Sequence, residues 1–262
     1  TPKQYLLYQA LRLPIPYFAH LPLILGAEGG RLSKRTGATA ISDYRKMGYL
    51  PEALVNYLLL LSWAPGDNLE VIDIVEAIKL FDIINVNKTA ATFDVKKLDW
   101  MNNQYLKKID AASLTELLIP LLLEKGYINQ DKIDRDYIIS LVKLFQARLP
   151  RLNDFVDWAD FFFTEDINID PQAKEKFLSS DLSKEFALFI ERLEKLESFD
   201  IAGIEKAFRD LVEELHIESK TVIHPIRVAL TGKTIGPGLF EVIYHLGKER
   251  AKKRLMKWVK RN

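Results

Sequence analysis

Apolar positions from residue 111 onward recur at three- and four-residue spacing. Short polar breaks carrying Asp-Pro, Ser-Asp and Gly-Pro-Gly interrupt them. This rhythm predicts helices over 113–125, 134–149, 155–163, 172–178, 184–196, 201–215, 220–230, 239–246 and 248–260. Ser113, three residues before Glu116, has the look of a capping box, and Gly126 stops that helix. Ahead of residue 111 the pattern is mixed. A helix over 1–13 ends at Pro14 and Pro16, and the apolar run 19–25, bounded by Pro and Gly, suits a buried strand. Helices follow over 41–47, entered through Ser42 or Asp43, and over 52–63, with Pro51 at the favoured first position. Another covers 71–81, with Ile72, Val75, Ile78 and Leu80 on one stripe. No fixed-period repeat is present, so the expected fold is mainly α, its back two-thirds one or two helical bundles.

Two features break the helical pattern in ways that suggest chemistry. Residues 29–39 form a basic, glycine-flanked stretch in which Arg31, Lys34 and Arg35 surround the Ser33 hydroxyl. Glycine lets backbone approach an anion, and the side chains supply charge and a donor, so the stretch is suited to phosphate. It lacks the Walker A spacing, and Gly232-Lys233-Thr234 lacks it too, because Arg227 stands where that motif needs Gly. The second feature is the aromatic run Phe155, Trp158, Phe161, Phe162 and Phe163. Such spacing fits a base-stacking platform, but core packing is the favoured reading.

Composition narrows the classes. The chain has 262 residues, 48% hydrophobic, with no cysteine and therefore no disulfide, thiolate or zinc–sulfur chemistry. Its four histidines, His20, His216, His224 and His245, show no metal-ligand spacing, so no protein-held metal is expected. No stretch is long and apolar enough to span a membrane, and a cytoplasmic or organelle-matrix setting is expected. Net charge is only +1, yet residues 164–214 carry fourteen acids against seven Lys or Arg, while 218–262 carry eleven Lys or Arg against three acids. This asymmetry is read as an electrically polarised molecule offering a basic patch to a polyanion.

Three further runs, together with Arg31-Leu32-Ser33-Lys34-Arg35, carry a family resemblance. They are Phe18 to Gly26, Gly48 to Leu58, and Pro225-Ile226-Arg227-Val228-Ala229-Leu230-Thr231-Gly232-Lys233. With Leu98-Asp99-Trp100-Met101-Asn102, they resemble bacterial-type glutamyl-tRNA synthetase, a class I enzyme, along the whole chain. Arg31 to Arg35 resembles its KMSKS signature, and no HIGH-like tetrapeptide is found, so the chain is expected to be a fragment lacking the N-terminal half. The resemblance implies an α-rich KMSKS-loop and stem-contact region ending a Rossmann-type catalytic domain, over 1–110. Helical anticodon-binding subdomains over 111–168 and 169–262 would follow.

The same resemblance implies the partners: tRNA(Glu), with ATP and glutamate in the complete enzyme, magnesium arriving with ATP, and a monomeric protein. It assigns Arg31, Leu32, Ser33, Lys34 and Arg35 to ATP, with Lys34 and Ser33 catalytic. It assigns Lys96, Lys97, Trp100 and Asn102 to the tRNA stem region, and Arg148, Arg151, Gly236 and Leu239 to the anticodon. Arg148 is the first choice for reading the third anticodon base. Two alternatives stay open: a stand-alone, non-catalytic helical tRNA-binding module, and a helical scaffold for protein partners, which leaves the 31–36 loop unexplained.

Overall fold

The computed structural model describes residues 1–32, 40–66 and 69–259, and the chain divides into two compact units, Thr1–Tyr105 and Leu106–Asn262. The first unit opens with helix α1 (Pro2–Ala10), none of whose residues is buried. The strand expected over 19–25 shrinks to β1 (Ile24–Leu25), which pairs in parallel with β2 (Ala91–Thr92), Ile24 opposite Ala91. Pro22 has no N–H for a ladder, and Leu21 and Leu23 are exposed. After β1 the chain reverses. Gly26 N–H donates to the Gly30 carbonyl at 2.7 Å, Gly29 takes φ +78°, and Leu32 N–H returns to the Ile24 carbonyl at 3.2 Å. That turn leads directly into the basic stretch.

Helices α2 (Ile41–Lys46) and α3 (Pro51–Leu60) surround an aromatic core of Tyr44, Tyr49, Tyr57 and Phe93, joined by Leu54, Leu98 and Met101. The start of α2 lies at Ala40, whose N–H donates to the Asp43 carboxylate at 3.2 Å, with Asp43 inside the first turn. Helix α4 (Ile74–Leu80) begins later than 71 because the Asp73 side chain caps it, accepting from Val75 N–H at 2.8 Å. Helix α5 (Val95–Lys108) passes Asn102 into the core. Its amide oxygen accepts Leu50 N–H at 2.8 Å, one of the backbone donors at the start of α3.

The second unit is built of helices joined by loops, with no strand among its described residues. Helix α6 (Ala111–Glu124) is capped by Asp110, which accepts Ser113 N–H at 2.9 Å; Ser113 is three residues into the helix and not its cap. Helix α7 (Arg135–Phe145) follows, and the expected span to 149 tightens into a 3₁₀ turn, Gln146–Arg148. The single helix expected over 155–163 is broken at Ala159 into α8 (Leu152–Trp158) and α9 (Asp160–Phe163). Phe155, Phe161 and Phe162 are core residues, whereas Trp158 and Phe163 are only half-buried. The order closes with α10 (Pro171–Leu178), α11 (Ser183–Glu194), α12 (Ile201–Glu214), α13 (Ser219–Thr231), α14 (Leu239–Leu246) and α15 (Lys248–Met256).

One buried cation ties these helices together. The Arg254 guanidinium on α15 donates to the Leu230 carbonyl at 2.6 Å, the Phe161 carbonyl at 2.8 Å and the Thr164 carbonyl at 2.7 Å. These acceptors lie at the C-terminal ends of α13 and α9, where carbonyls lack helical partners and the dipole favours a cation. Burial pushes its pKa down to about 10, with Arg250 acting in the same direction, so it stays charged at neutral pH. Replacing Arg254 with Met strands these carbonyls, and the second unit is expected to lose about 3 kcal/mol or more in chemical denaturation.

A half-buried polar group, His245, is pH-sensitive. Ser140 gives its only hydroxyl proton to the Tyr137 carbonyl at 2.6 Å, so the His245 Nδ1–H donates to Ser140 Oγ at 3.2 Å. Burial holds the His245 imidazole below its ordinary value, with Glu241 pulling the other way. The unfolded chain therefore takes up this proton first, near the ordinary value of about 6.5. The stability is present above that pH and lost as pH falls toward the folded value. Melting temperature is expected to fall between about pH 7.5 and 5.5, less steeply in His245→Phe, which keeps a ring against Phe162.

Candidate nucleic-acid interface

A cleft of about 400 Å³ lies within the second unit, and it is built by helix ends. Leu144 and Phe145 from the last turn of α7 line it, with Trp158 from the end of α8 and the loop Lys233–Pro237 beyond α13. The loop starts where α13 stops. Gly232 sits in the left-handed region at φ +74°, its N–H returning to the Val228 carbonyl at 2.8 Å. A Cβ there would lie 2.0 Å from the Asn168 carbonyl oxygen, so only glycine lets the segment before α10 lie against this turn. Asp170 N–H then donates to the Gly232 carbonyl at 3.1 Å.

Two guanidinium groups meet the loop. Arg227 on α13 is half-buried and donates to the Pro237 carbonyl at 2.7 Å. Burial pushes its pKa below the ordinary arginine range; Glu241 opposes that shift and Arg148 adds to it. Arg148, in the 3₁₀ turn, is exposed at the rim and reaches the Gly236 carbonyl at 3.4 Å, a long and weak bond. Its donors can turn to a ligand at small cost. Ile235, two residues beyond Lys233 in the sequence, stands 85% exposed.

Lys233 is committed inward. Its ammonium bonds Asp160 Oδ1 at 2.5 Å, the Asp157 carbonyl and, at 3.4 Å, the Trp158 carbonyl, and it sits 5.6 Å from the Phe161 ring centre. The break at Ala159 leaves those α8 carbonyls without helical donors, and Lys233 supplies one.

Arg148 and Gly236 are therefore brought together in one cleft. The other expected anticodon residues are not: Arg151 makes a two-pronged pair with Asp154 at 2.8 and 3.0 Å, and Leu239 is buried in the core. In the first unit, Lys96 is exposed and Lys97 pairs with Glu70 at 2.8 Å. Trp100 is 42% exposed. Asn102, expected to face RNA, is buried because α3 uses its amide oxygen. Arg31 is exposed beside the turn and Leu32 packs on the aromatic core, while Ser33, Lys34 and Arg35 fall outside the described residues. Trp158 was visible in sequence as part of the aromatic run read mainly as core, whereas the inward role of Lys233 and the loop-holding role of Arg227 were not legible there.

The polarised charge distribution also needs correction. Lys252 pairs with Glu194, Lys253 with Glu165 at 2.9 Å, and Lys257 with Asp166 at 2.8 Å. Lys253 and Lys257 hold the Glu165 and Asp166 carboxyls below the usual carboxylate range. Among the described residues, Lys252, Lys253 and Lys257 of the tail thus meet the acidic stretch. Among the described residues, no group of three or more His, Asp or Glu is placed to hold a metal ion, and no helix is long and apolar enough to cross a membrane.

Comparison with known proteins agrees with this division of features. Residues 113–259 match the family described as "Anticodon binding domain", and residues 1–100 match "tRNA synthetases class I (E and Q), catalytic domain". Glutamate–tRNA ligase 1 of Caldanaerobacter subterraneus is 40% identical over 264 residues, covering 99% of this chain and 54% of the relative. Glutamate–tRNA ligase 1 of Syntrophus aciditrophicus is 43% identical over 259 residues, again 99% of this chain and 54% of the relative. A crystal structure of a glutamate tRNA ligase from Elizabethkingia meningosepticum matches with a TM-score of 0.81 at 29% identity, covering 98% of this chain and 55% of that one. The chain spans about half the length of the curated relatives it matches.

Proposed function

This chain belongs to the glutamyl-tRNA synthetase family, and from that premise we propose that it holds tRNA(Glu) by stem and anticodon while glutamate is attached to it. The observation that carries the reading is the cleft in which an exposed Arg148, weakly held on Gly236, stands over an apolar floor. An unstacked base needs an apolar face, backbone edges and a donor that can reach its hydrogen-bonding edge. Arg148 supplies that donor for the third anticodon base. Gly236 and Pro237 supply the backbone edge, with Arg227 holding the loop. Exposed Lys96 and Trp100 are the stem-region contacts, and Lys97 joins them by exchanging Glu70 for phosphate. The protein works as a cytoplasmic monomer, with 111–168 and 169–262 as its two anticodon-side subdomains.

The proposed reaction of the complete enzyme has two steps. A glutamate carboxylate oxygen attacks the α-phosphorus of ATP and pyrophosphate leaves; a hydroxyl of the terminal tRNA ribose then attacks the glutamyl carbonyl and AMP leaves. In the first step Lys34 neutralises charge on the departing phosphates, while Arg31, Ser33 and Arg35 orient them. A contact made only in the transition state is worth roughly 3–4 kcal/mol. Magnesium would come with ATP, held by the phosphates.

Binding of this chain to tRNA(Glu), followed by fluorescence anisotropy, is expected to weaken steeply with salt and to drop when the third anticodon base is changed. Arg148→Ala is expected to cost about 1–3 kcal/mol in binding and to erase that discrimination. Binding indifferent to the anticodon would reduce the second unit to a phosphate-gripping surface and overturn the assignment of Arg148. A second reading, a tRNA-binding module with no chemistry of its own, rests on the match of residues 113–259 to the anticodon-binding family. By itself the chain is expected to catalyse no ATP–pyrophosphate exchange, and exchange by the purified chain would refute that expectation.

A further inference from the structure

The cleft holds two residues for which the anticodon reading does not yet account. Trp158 is one of two members of the 155–163 aromatic run that are not core; it is half-buried and, unlike Phe163, is placed along the cleft, at the last position of α8. Lys233 faces the same cleft, but its ammonium is turned away toward the α8–α9 break, where it meets the Asp157 and Trp158 carbonyls and Asp160 Oδ1. A lysine meant for phosphate would keep its charge toward solvent, whereas this one is only 30% exposed and already neutralised by a carboxylate.

We propose that Trp158 is the stacking platform for the base that Arg148 reads, and that Lys233 is the positioning residue that holds its indole in place. The proposal rests on the anticodon reading above. Stacking on an indole is insensitive to which base is present, because every base has a π-face. Discrimination requires in-plane hydrogen bonds, which is the work of a guanidinium. The cleft divides the two tasks between α8 and the 3₁₀ turn. Its volume of about 400 Å³ is at the small end of ligand pockets, of a size for a single splayed base and not for a paired helix. The split at Ala159 then has a purpose. A continuous helix over 155–163 would satisfy the Asp157 and Trp158 carbonyls internally and leave Lys233 nothing to grip. With the break, one ammonium clamps the backbone at the tryptophan itself, so the ring pays little ordering entropy when a base arrives.

The test uses the full chain and a hairpin carrying the anticodon loop of tRNA(Glu), titrated while tryptophan emission is recorded. Four tryptophans emit, so the component belonging to residue 158 is taken as the difference between wild type and Trp158→Phe. Wild type is expected to show quenching that Trp158→Phe lacks, with affinity in that variant kept within roughly threefold, since Phe still stacks. Trp158→Ala is expected to bind about tenfold to a hundredfold more weakly, for the right and the altered third base alike. Lys233→Met should weaken binding in the same base-independent way and shift the emission of Trp158 to the red in the free protein, with Lys233→Arg restoring both. If the Ala variant melts early, the quenching difference with Trp158→Phe decides by itself. Wild-type quenching that persists in Trp158→Phe overturns the platform and leaves the reading by Arg148 standing. A wild-type chain that shows no binding to the hairpin removes the anticodon reading, and the platform with it.

Discussion

Everything at the cleft depends on how the second unit deals with carbonyls that its helices cannot satisfy. Arg254 answers those at the ends of α9 and α13 from inside the core, and a guanidinium suits the task because it presents several donors in one plane. A neutral side chain could fill the same space but would leave the carbonyls unpaired where water cannot reach. The cost of burying a charge is met by three short bonds and by the negative ends of two helices. Once α13 is anchored, Gly232 turns the chain at a fixed point and the loop to Pro237 has a defined origin. Once α9 is anchored, the break that ends α8 at Trp158 has a defined direction.

The loop itself is held by side-chain donors on its carbonyls and has no pairing of its own in a sheet or helix. Arg227 makes the tight bond to Pro237 and Arg148 the loose one to Gly236. Their proximity is a mutual cost, seen in the influence of Arg148 on Arg227, and Glu241 partly offsets it. An arrangement of one firm and one weakly engaged guanidinium gives the site a stationary wall and a movable reader. Pre-organisation of the wall lowers the ordering that binding must impose, while the reader's long bond leaves its donors available.

Helix positions were legible in the sequence because amphipathic spacing survives in nearly every helix of the second unit. Ends were less legible. Asp110 and not Ser113 caps α6, since Ala111 and Ala112 start the helix two residues earlier once an acceptor precedes them. The split at Ala159 was invisible, because no Gly or Pro marks it and its stabilising cation lies over seventy residues away. Arg148 and Gly236 could be chosen by resemblance, yet resemblance could not tell that Leu239 and Asn102 face inward. Both are decided by which backbone groups and core spaces need them. The basic tail misled for a related reason: charge counted along a chain says nothing about which charges meet in space.

That meeting of tail and acidic stretch binds two distant parts of the chain into one unit of inheritance. Glu165 lies within reach of both Arg250 and Lys253, Glu194 answers Lys252, and Asp166 answers Lys257. Loss of an acid on one side would leave a cation on the other as a new, unintended site for any polyanion. The two stretches are thus expected to drift as partners among related sequences, each restraining the other. Each tail lysine that is paired with an acid has that much less charge to offer an arbitrary polyanion.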